Sequence, residues 1–372
     1  MAGLYIHIPY CRSKCAYCDF FSTPDNADAD AYVTALIKEF GMRRHEVKEP
    51  FTTMYLGGGT PSLLSQSQLE RLFEGIGKIV DIGQLDEVTI EANPEDITMQ
   101  TLEHYASLGI NRVSIGIQSF DARELESISR RHDAVDSITA LEALQKSGLN
   151  YSADLIYGLP GQTLAGWEAN LIRLLQFHPP HFSAYLLSYE PGTKLYARLM
   201  AGKVHDAEEA EAVEMYGILC RRALDAGYRH YEVSNFALPG KESRHNSAYW
   251  TYTPYLGLGV SAHSFDGRVR RFNPIGIKDY IRMIDSGNPI FSVDDETVVN
   301  RFNDYVITAL RTVRGFDALF AERMFGTSLV HRFWDNASHL PEGVLIKHDG
   351  LIAISEANWL ASDAIMRELI LD

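Results

Sequence analysis

The stretch Tyr5 to Ser22, YIHIPYCRSKCAYCDFFS, places three of the chain's four cysteines at Cys11, Cys15 and Cys18, directly behind an apolar run that reads as a strand. The spacing is C-x3-C-x2-C, one thiol short of a closed tetrahedral set. Zinc would need a fourth protein ligand, and His7 is the nearest imidazole. His7 sits inside the predicted strand, where Tyr5, His7 and Pro9 share one face. A cubane iron–sulfur cluster takes one thiolate per iron, so three cysteines hold three irons and leave the fourth to an outside ligand. A cysteine loop after a first strand, flanked by aromatics, points to that arrangement, with a Cys3His zinc site as the alternative.

Working outward, short β-rich runs at 4–8, 53–59, 87–93, 112–118, 151–160 and 182–187 alternate with helical patterns at 29–44, 65–79, 98–107, 133–147 and 163–176. Repeated βα units predict a parallel sheet, and six in succession predict a full or partial barrel. The rhythm changes after about residue 200, with a helical pattern at 206–226 and then the aromatic-rich RHNSAYWTYTPYLGLGVSAHSF at 244–265. Past 295, helical patterns at 296–312, 316–325 and 327–338 precede two alternating runs around Asp349-Gly350 and a last helix, a winged-helix-like unit.

The 372 residues carry 34 basic and 49 acidic side chains, a net charge of −15 that argues against nucleic acid as a partner. There is no basic leader with a cleavage site and no apolar run of spanning length, so a cytoplasmic location is expected. Clustered cysteines suit a metal site in a reducing compartment better than a disulfide framework.

Other residues fall where a barrel binds ligands. GGGTP, Gly57 to Pro61, follows the second predicted strand, where glycines let backbone groups approach a ligand closely. Glu91 ends the third strand, Gln118 the fourth, and Asp154 lies within the fifth, near the C-terminal rim.

Together these motifs resemble the radical S-adenosylmethionine (SAM) superfamily, in its oxygen-independent coproporphyrinogen III oxidase branch. YxHxPxCxxxCxxC matches Tyr5 to Cys18 and GGGTP matches Gly57 to Pro61; EANP supplies Glu91, GIQSF Gln118, the helix after it Arg130, and DLIYGLPGQT Asp154. The resemblance implies a [4Fe–4S] cluster on Cys11, Cys15 and Cys18, with SAM on the open iron and Tyr5 beside the cluster. Gly58, Gly59 and Thr60 would hold the methionine end of SAM, and Glu91, Gln118, Arg130 and Asp154 its carboxylate, ribose and adenine portions. Two features depart from the oxidases. Phe20 stands where they carry a further cysteine, and only four residues precede Tyr5, where they carry a substrate-binding extension.

HNSAYW, His245 to Trp250, matches the HNxxYW signature of the HemW group of haem chaperones. An imidazole can ligate haem iron, and Tyr249 and Trp250 offer flat faces to a porphyrin. On a helix His245 and Tyr249 share a face; equally, the segment could simply pack a seam between domains. His263, in YLGLGVSAHS, is a rival haem ligand. Cys220 reads as a small buried hydrophobe.

The expectation is an α/β protein: a partial (β/α)6 barrel over 1–235, a linking segment over 236–295 and a helical, winged-helix-like domain with a β-hairpin over 296–372. It would be a radical-SAM-type haem chaperone binding cluster, SAM and haem and delivering haem to acceptor proteins. A homodimer and a peripheral membrane encounter through acceptors are further expectations. The alternatives are a coproporphyrinogen oxidase or other tetrapyrrole-modifying enzyme, and a zinc-stabilised scaffold.

Overall fold

The computed structural model describes residues 1–287, 291–294 and 296–372; the end of the expected linking segment, at 288–290 and 295, lies outside the described residues. Strands and helices alternate through the first half: β1 Ala2–Ile8, α1 Ala29–Arg43, β2 Phe51–Gly58, α2 Gln66–Gly77, β3 Glu87–Ala92, α3 Met99–Ser107, β4 Arg112–Gln118, α4 Ala122–Ser127, α5 Ala134–Ser147, β5 Asn150–Tyr157, α6 Leu164–Leu175 and β6 His181–Leu186. The six strands pair in chain order, all parallel, and make the partial (β/α)6 barrel that the alternation predicts.

Side-chain alternation explains both layers. Leu4, Ile6 and Ile8 of β1 and Met54 and Leu56 of β2 are fully buried in the apolar core that also takes in Tyr32, Leu36, Leu69 and Leu72 of the covering helices. The opposite face carries Tyr5 and His7, Thr53 and Tyr55, Thr89 and Glu91, Arg112 and Ser114, Ser152 and Asp154, so the barrel interior is polar. Helix boundaries follow local chemistry: Ser65 and Asp133 form capping boxes at the starts of α2 and α5, and Gly148 ends α5 at φ 73°.

The sheet continues beyond these strands at both edges. After α7 Lys194–Met200 and α8 Glu209–Asp225, the hairpin β7 Arg229–Glu232 and β8 Asn235–Ala237 adds antiparallel to β6. After α9 Arg244–Trp250, β9 Tyr255–Leu258 pairs parallel with the free edge of β1, and β10 His263–Phe265, β11 Arg270–Phe272 and β12 Ser292–Asp294 follow antiparallel, with α10 Ile277–Asp285 between the last two. Buried Arg43 of α1 ties this edge down, donating to Glu39 at 2.7 Å, Asn273 at 3.1 Å and Ser264 at 3.1 Å.

A second apolar core lies in the C-terminal unit, built from α11 Val298–Leu310, β13 Phe316–Asp317, α12 Ala318–Phe325, α13 Thr327–Ala337, β14 Leu345–His348, β15 Leu351–Ile354 and α14 Ser362–Leu369. Phe302, Phe316, Phe333 and Trp359 fill it. Asp349 and Gly350 turn the hairpin with φ of 48° and 81°, the left-handed pair of a tight type I′ connection. Among the described residues no helix is long and apolar enough to cross a membrane.

Candidate functional site

At the C-terminal rim of the parallel strands lies a cavity of about 590 Å³, lined by Cys11, Cys15, Cys18, Gly58, Gly59, Thr60, Glu91, Gln118, Arg130 and Asp154 among others. The sequence scattered these residues over some 140 positions, and the parallel topology brings them together because most of them end a strand or lie in the loops beyond one, while Asp154 points inward from within β5.

Backbone bonds hold the cysteine loop across the rim: Cys11 N donates to Thr23 O at 3.0 Å, Ala16 N to Ile128 O at 2.9 Å, and Leu195 N to Ala16 O at 2.7 Å. All three thiols are half-buried. Thr60 Oγ1 approaches Cys11 Sγ at 3.5 Å, and Arg130 Nη1 approaches Cys15 Sγ at 3.5 Å. Burial raises the pKa of the Cys18 thiol. His7 does not complete a zinc site: its Nδ1 faces the Tyr5 hydroxyl at 3.1 Å, its Nε2 faces the Phe21 carbonyl at 3.3 Å, and burial lowers its pKa to about 4. Among the described residues no three His, Cys, Asp or Glu side chains converge on a single ion. Three thiols on one loop, with no fourth protein donor among the described residues, suit a cubane bound at three irons.

The glycine triad is required by the fold as well as by any ligand. Gly58 has φ 108°, and a Cβ there would meet the His7 ring at 2.5 Å; one on Gly59 would meet the carbonyls of Ile8 and Tyr10 at 2.8 Å. Gly59 N and Thr60 N donate to those same carbonyls, at 2.8 and 2.7 Å, binding the end of β2 to the exit of β1.

Two half-buried carboxylates face the cavity. Glu91 accepts from Tyr55 Oη at 2.8 Å and from Gly58 N at 3.1 Å; burial, with Asp154 nearby, pushes its pKa up to about 7. Asp154 is likewise raised by burial, against the opposing effect of hydroxyls donated by Ser183 at 2.8 Å, Ser114 at 3.2 Å and Ser152 at 3.3 Å. Arg130 lies three residues past α4 rather than on a helix, and its Nη2 donates to the Gly116 carbonyl at 2.7 Å and to Asn93 Oδ1 at 2.9 Å. Its buried Nε has no partner among the described residues. Gln118 reaches the rim through a bulge in β4 with φ 65°. Tyr5 stands apart: it packs below the cavity, its ring 6.3 Å from that of Tyr55. Tyr55, Asn93, Ser114 and Ser183 join the site without having been singled out in sequence. The period of two along each strand is the signal that places Tyr55, Ser114 and Ser183 on the inner face.

His245, Tyr249 and Trp250 lie at the other end of the barrel. Glu87, first residue of β3, caps α9 by accepting from Ser243 Oγ at 3.2 Å, Arg244 N at 3.0 Å and His245 N at 2.9 Å. The His245 ring is 1% exposed, with Nδ1 on Thr53 Oγ1 at 2.8 Å and Nε2 on the Tyr249 hydroxyl at 2.9 Å. Burial lowers its pKa to about 3, so the ring is neutral. In this conformation both nitrogens are engaged within the protein. Trp250 packs toward the C-terminal unit, with the Arg311 guanidinium 5.9 Å from its ring. His263, by contrast, is exposed on β10, stacked 5.5 Å from Phe272, and its ring nitrogens have no hydrogen-bond partner among the described residues.

A parallel partial barrel with a three-cysteine loop at its rim defines a radical SAM protein, and residues 5–172 match the family model of the radical SAM superfamily. The chain is 35% identical over 352 residues to the haem chaperone HemW of Bacillus subtilis strain 168, covering 93% of both chains, and 38% identical over 280 residues to HemW of Lactococcus lactis strain IL1403, covering 75% of this chain and 73% of that one. The chain belongs to the HemW family of radical SAM proteins. Its fold is that of the Escherichia coli coproporphyrinogen III oxidase HemN, a radical SAM enzyme, with a TM-score of 0.82 at 23% identity over 99% of this chain and 90% of the other. Membership of the superfamily implies a [4Fe–4S] cluster and SAM as cofactors, and the donor set described above fits them.

Proposed function

We propose that the chain is a haem chaperone, binding haem beside a [4Fe–4S] cluster and SAM and passing it to acceptor proteins. One observation carries the reading: similarity to a haem chaperone along 93% of both chains, through the barrel, α9 and the C-terminal unit alike. Cys11, Cys15 and Cys18 would hold the cluster, which when bound supplies a redox centre whose open iron takes SAM. Gly58, Gly59 and Thr60 would receive the methionine end of SAM through backbone groups and a hydroxyl. Glu91, Gln118, Arg130 and Asp154 would orient the rest, and Tyr5 would back them through the Tyr55 ring.

For the haem iron, the exposed His263, whose ring nitrogens have no hydrogen-bond partner among the described residues, is the better placed imidazole, because ligation by buried His245 requires one of its two hydrogen bonds to break. We further assign residues 1–235 to the barrel domain, 236–295 to a linking segment that also lends strands to the sheet edge, and 296–372 to a C-terminal domain. A cytoplasmic setting, a homodimer and encounters with membrane-bound acceptors belong to the same proposal.

Anaerobic haem titration of the cluster-loaded chain, with and without SAM, followed by mixing with an apo-haem protein, tests the reading. Saturable binding and transfer are expected, with binding weakened by His263→Ala. Steady carbon dioxide release from coproporphyrinogen III in the presence of SAM and reductant would instead establish the oxidase.

A further inference from the structure

HNSAYW touches none of the cavity, yet a short path of contacts joins them. His245 is fixed on three sides, by Thr53 and Tyr249 at its ring nitrogens and by Glu87 at its backbone N–H. Its ring stacks on Tyr55, centroids 5.2 Å apart and planes 24° from parallel, while Tyr5 flanks Tyr55 at 6.3 Å and 27°. Thr53 and Tyr55 are two residues apart on the inner face of β2, so one strand supplies both the hydrogen bond and the stacking partner. Tyr55 then donates its hydroxyl to Glu91 at 2.8 Å. The carboxylate is held at its other oxygen by Gly58 N at 3.1 Å, and it lies so near Gly57 that a Cβ added there would meet Oε1 at 2.9 Å. Tyr55 thus touches His245 through its ring and Glu91 through its hydroxyl.

We infer that His245 is a positioning residue for Glu91, acting through Tyr55, so that the HNxxYW segment governs SAM affinity from the base of the barrel. The inference rests on the reading that Glu91 faces SAM. It accounts for a motif whose histidine is buried and doubly hydrogen-bonded, and it ties α9, with the C-terminal unit packed beside it, to the occupancy of the rim cavity.

Equilibrium binding of SAM to the anaerobically reconstituted chain tests it, with haem titration on the same samples. Glu91→Gln should weaken SAM binding; unchanged affinity there would remove the reading of the site itself. Given that loss, Tyr55→Phe, which keeps the ring stack but removes the hydroxyl, should weaken SAM on the order of tenfold, the worth of one charge-assisted hydrogen bond. His245→Ala should weaken SAM by several-fold and leave haem affinity alone. Placed on Tyr55→Phe, it should add less than about twofold, because the two act along one path. Loss of haem binding with SAM affinity intact in His245→Ala, or fully additive losses in the double variant, would overturn the inference. Should His245→Ala fail to fold, an unchanged SAM affinity in Tyr55→Phe would overturn it alone.

Discussion

Gly58 and His7 are packed so closely that a Cβ on the glycine would lie 2.5 Å from both Cε1 and Nδ1 of the imidazole, and the backbone of Gly58 sits at φ 108°. The ring has no room to yield, because Tyr5 and the Phe21 carbonyl hold its two nitrogens. Gly58→Ala is therefore expected to destabilise the ligand-free chain by more than about 3 kcal/mol. Gly148→Ala, also at positive φ but facing open space, should cost only about 1 kcal/mol. Urea unfolding of both variants without cluster or SAM checks the pair; equal midpoints would return the glycine triad to a purely ligand-driven role.

How far such constraints were visible beforehand depended on the element. The six barrel strands were legible because apolar residues such as Leu4, Ile6 and Ile8 alternate with inward ones over long runs. The edge strands β7 to β12 were not, because they span only three or four residues and owe their pairing to distant contacts such as Arg43 with Asn273 and Ser264. The rim residues were legible by motif and position. His245 was legible as special but not as buried: nothing local in HNSAYW announces that Glu87, more than 150 residues earlier, caps its helix.

The buried imidazoles set the acid side of stability. Burial lowers His7, His132 and His230 to about 4 and His245 to about 3, and His181 moves in the same direction. An unfolded chain takes up these protons below about pH 6.5. The stability the neutral rings contribute is thus full above that pH and lost as pH falls toward 4. Glu91 and Glu232, both raised to about 7, act oppositely: their contribution is full below about pH 4.5 and lost as pH rises through 7. Glu39, Asp96, Asp154 and Glu296 are raised in the same direction, without reaching the shift of Glu91 and Glu232, so their opposition is felt at lower pH, and between about pH 6.5 and 5 the five imidazoles prevail. Urea midpoints of the ligand-free chain should therefore fall between about pH 6.5 and 5; a midpoint that rose over that interval would contradict the burial of these rings.

Glu91→Gln separates stability from ligand binding. Above pH 7 the native chain carries a half-buried Glu91 charge, supported by Tyr55 and Gly58 N but opposed by desolvation and by Asp154. Replacing it with a neutral amide should stabilise the SAM-free chain on the order of 1 kcal/mol at about pH 8, with the gain vanishing below about pH 4.5, where the wild-type carboxyl is protonated in both states. Paired denaturation curves at the two pH values measure this. A loss of stability at the higher pH would mean that the hydrogen bonds to the carboxylate outweigh its desolvation.

The cysteines divide sharply by position. Cys11, Cys15 and Cys18 lie on a loop held by backbone hydrogen bonds, whereas Cys220, half-buried like them rather than fully buried as expected, packs within α8 against the barrel core. Alanine at any of the first three should bring iron and acid-labile sulfide to background in anaerobically purified protein. The same substitutions should shift the unfolding free energy of the cluster-free chain by no more than about 0.5 kcal/mol, since no core contact is lost. Cys220→Ala should retain the full complement of iron and sulfide. Zinc without sulfide in the wild-type chain would reverse this assignment. It would require a fourth donor near the loop, and His7, already committed at both nitrogens, would first have to release the Tyr5 hydroxyl or the Phe21 carbonyl.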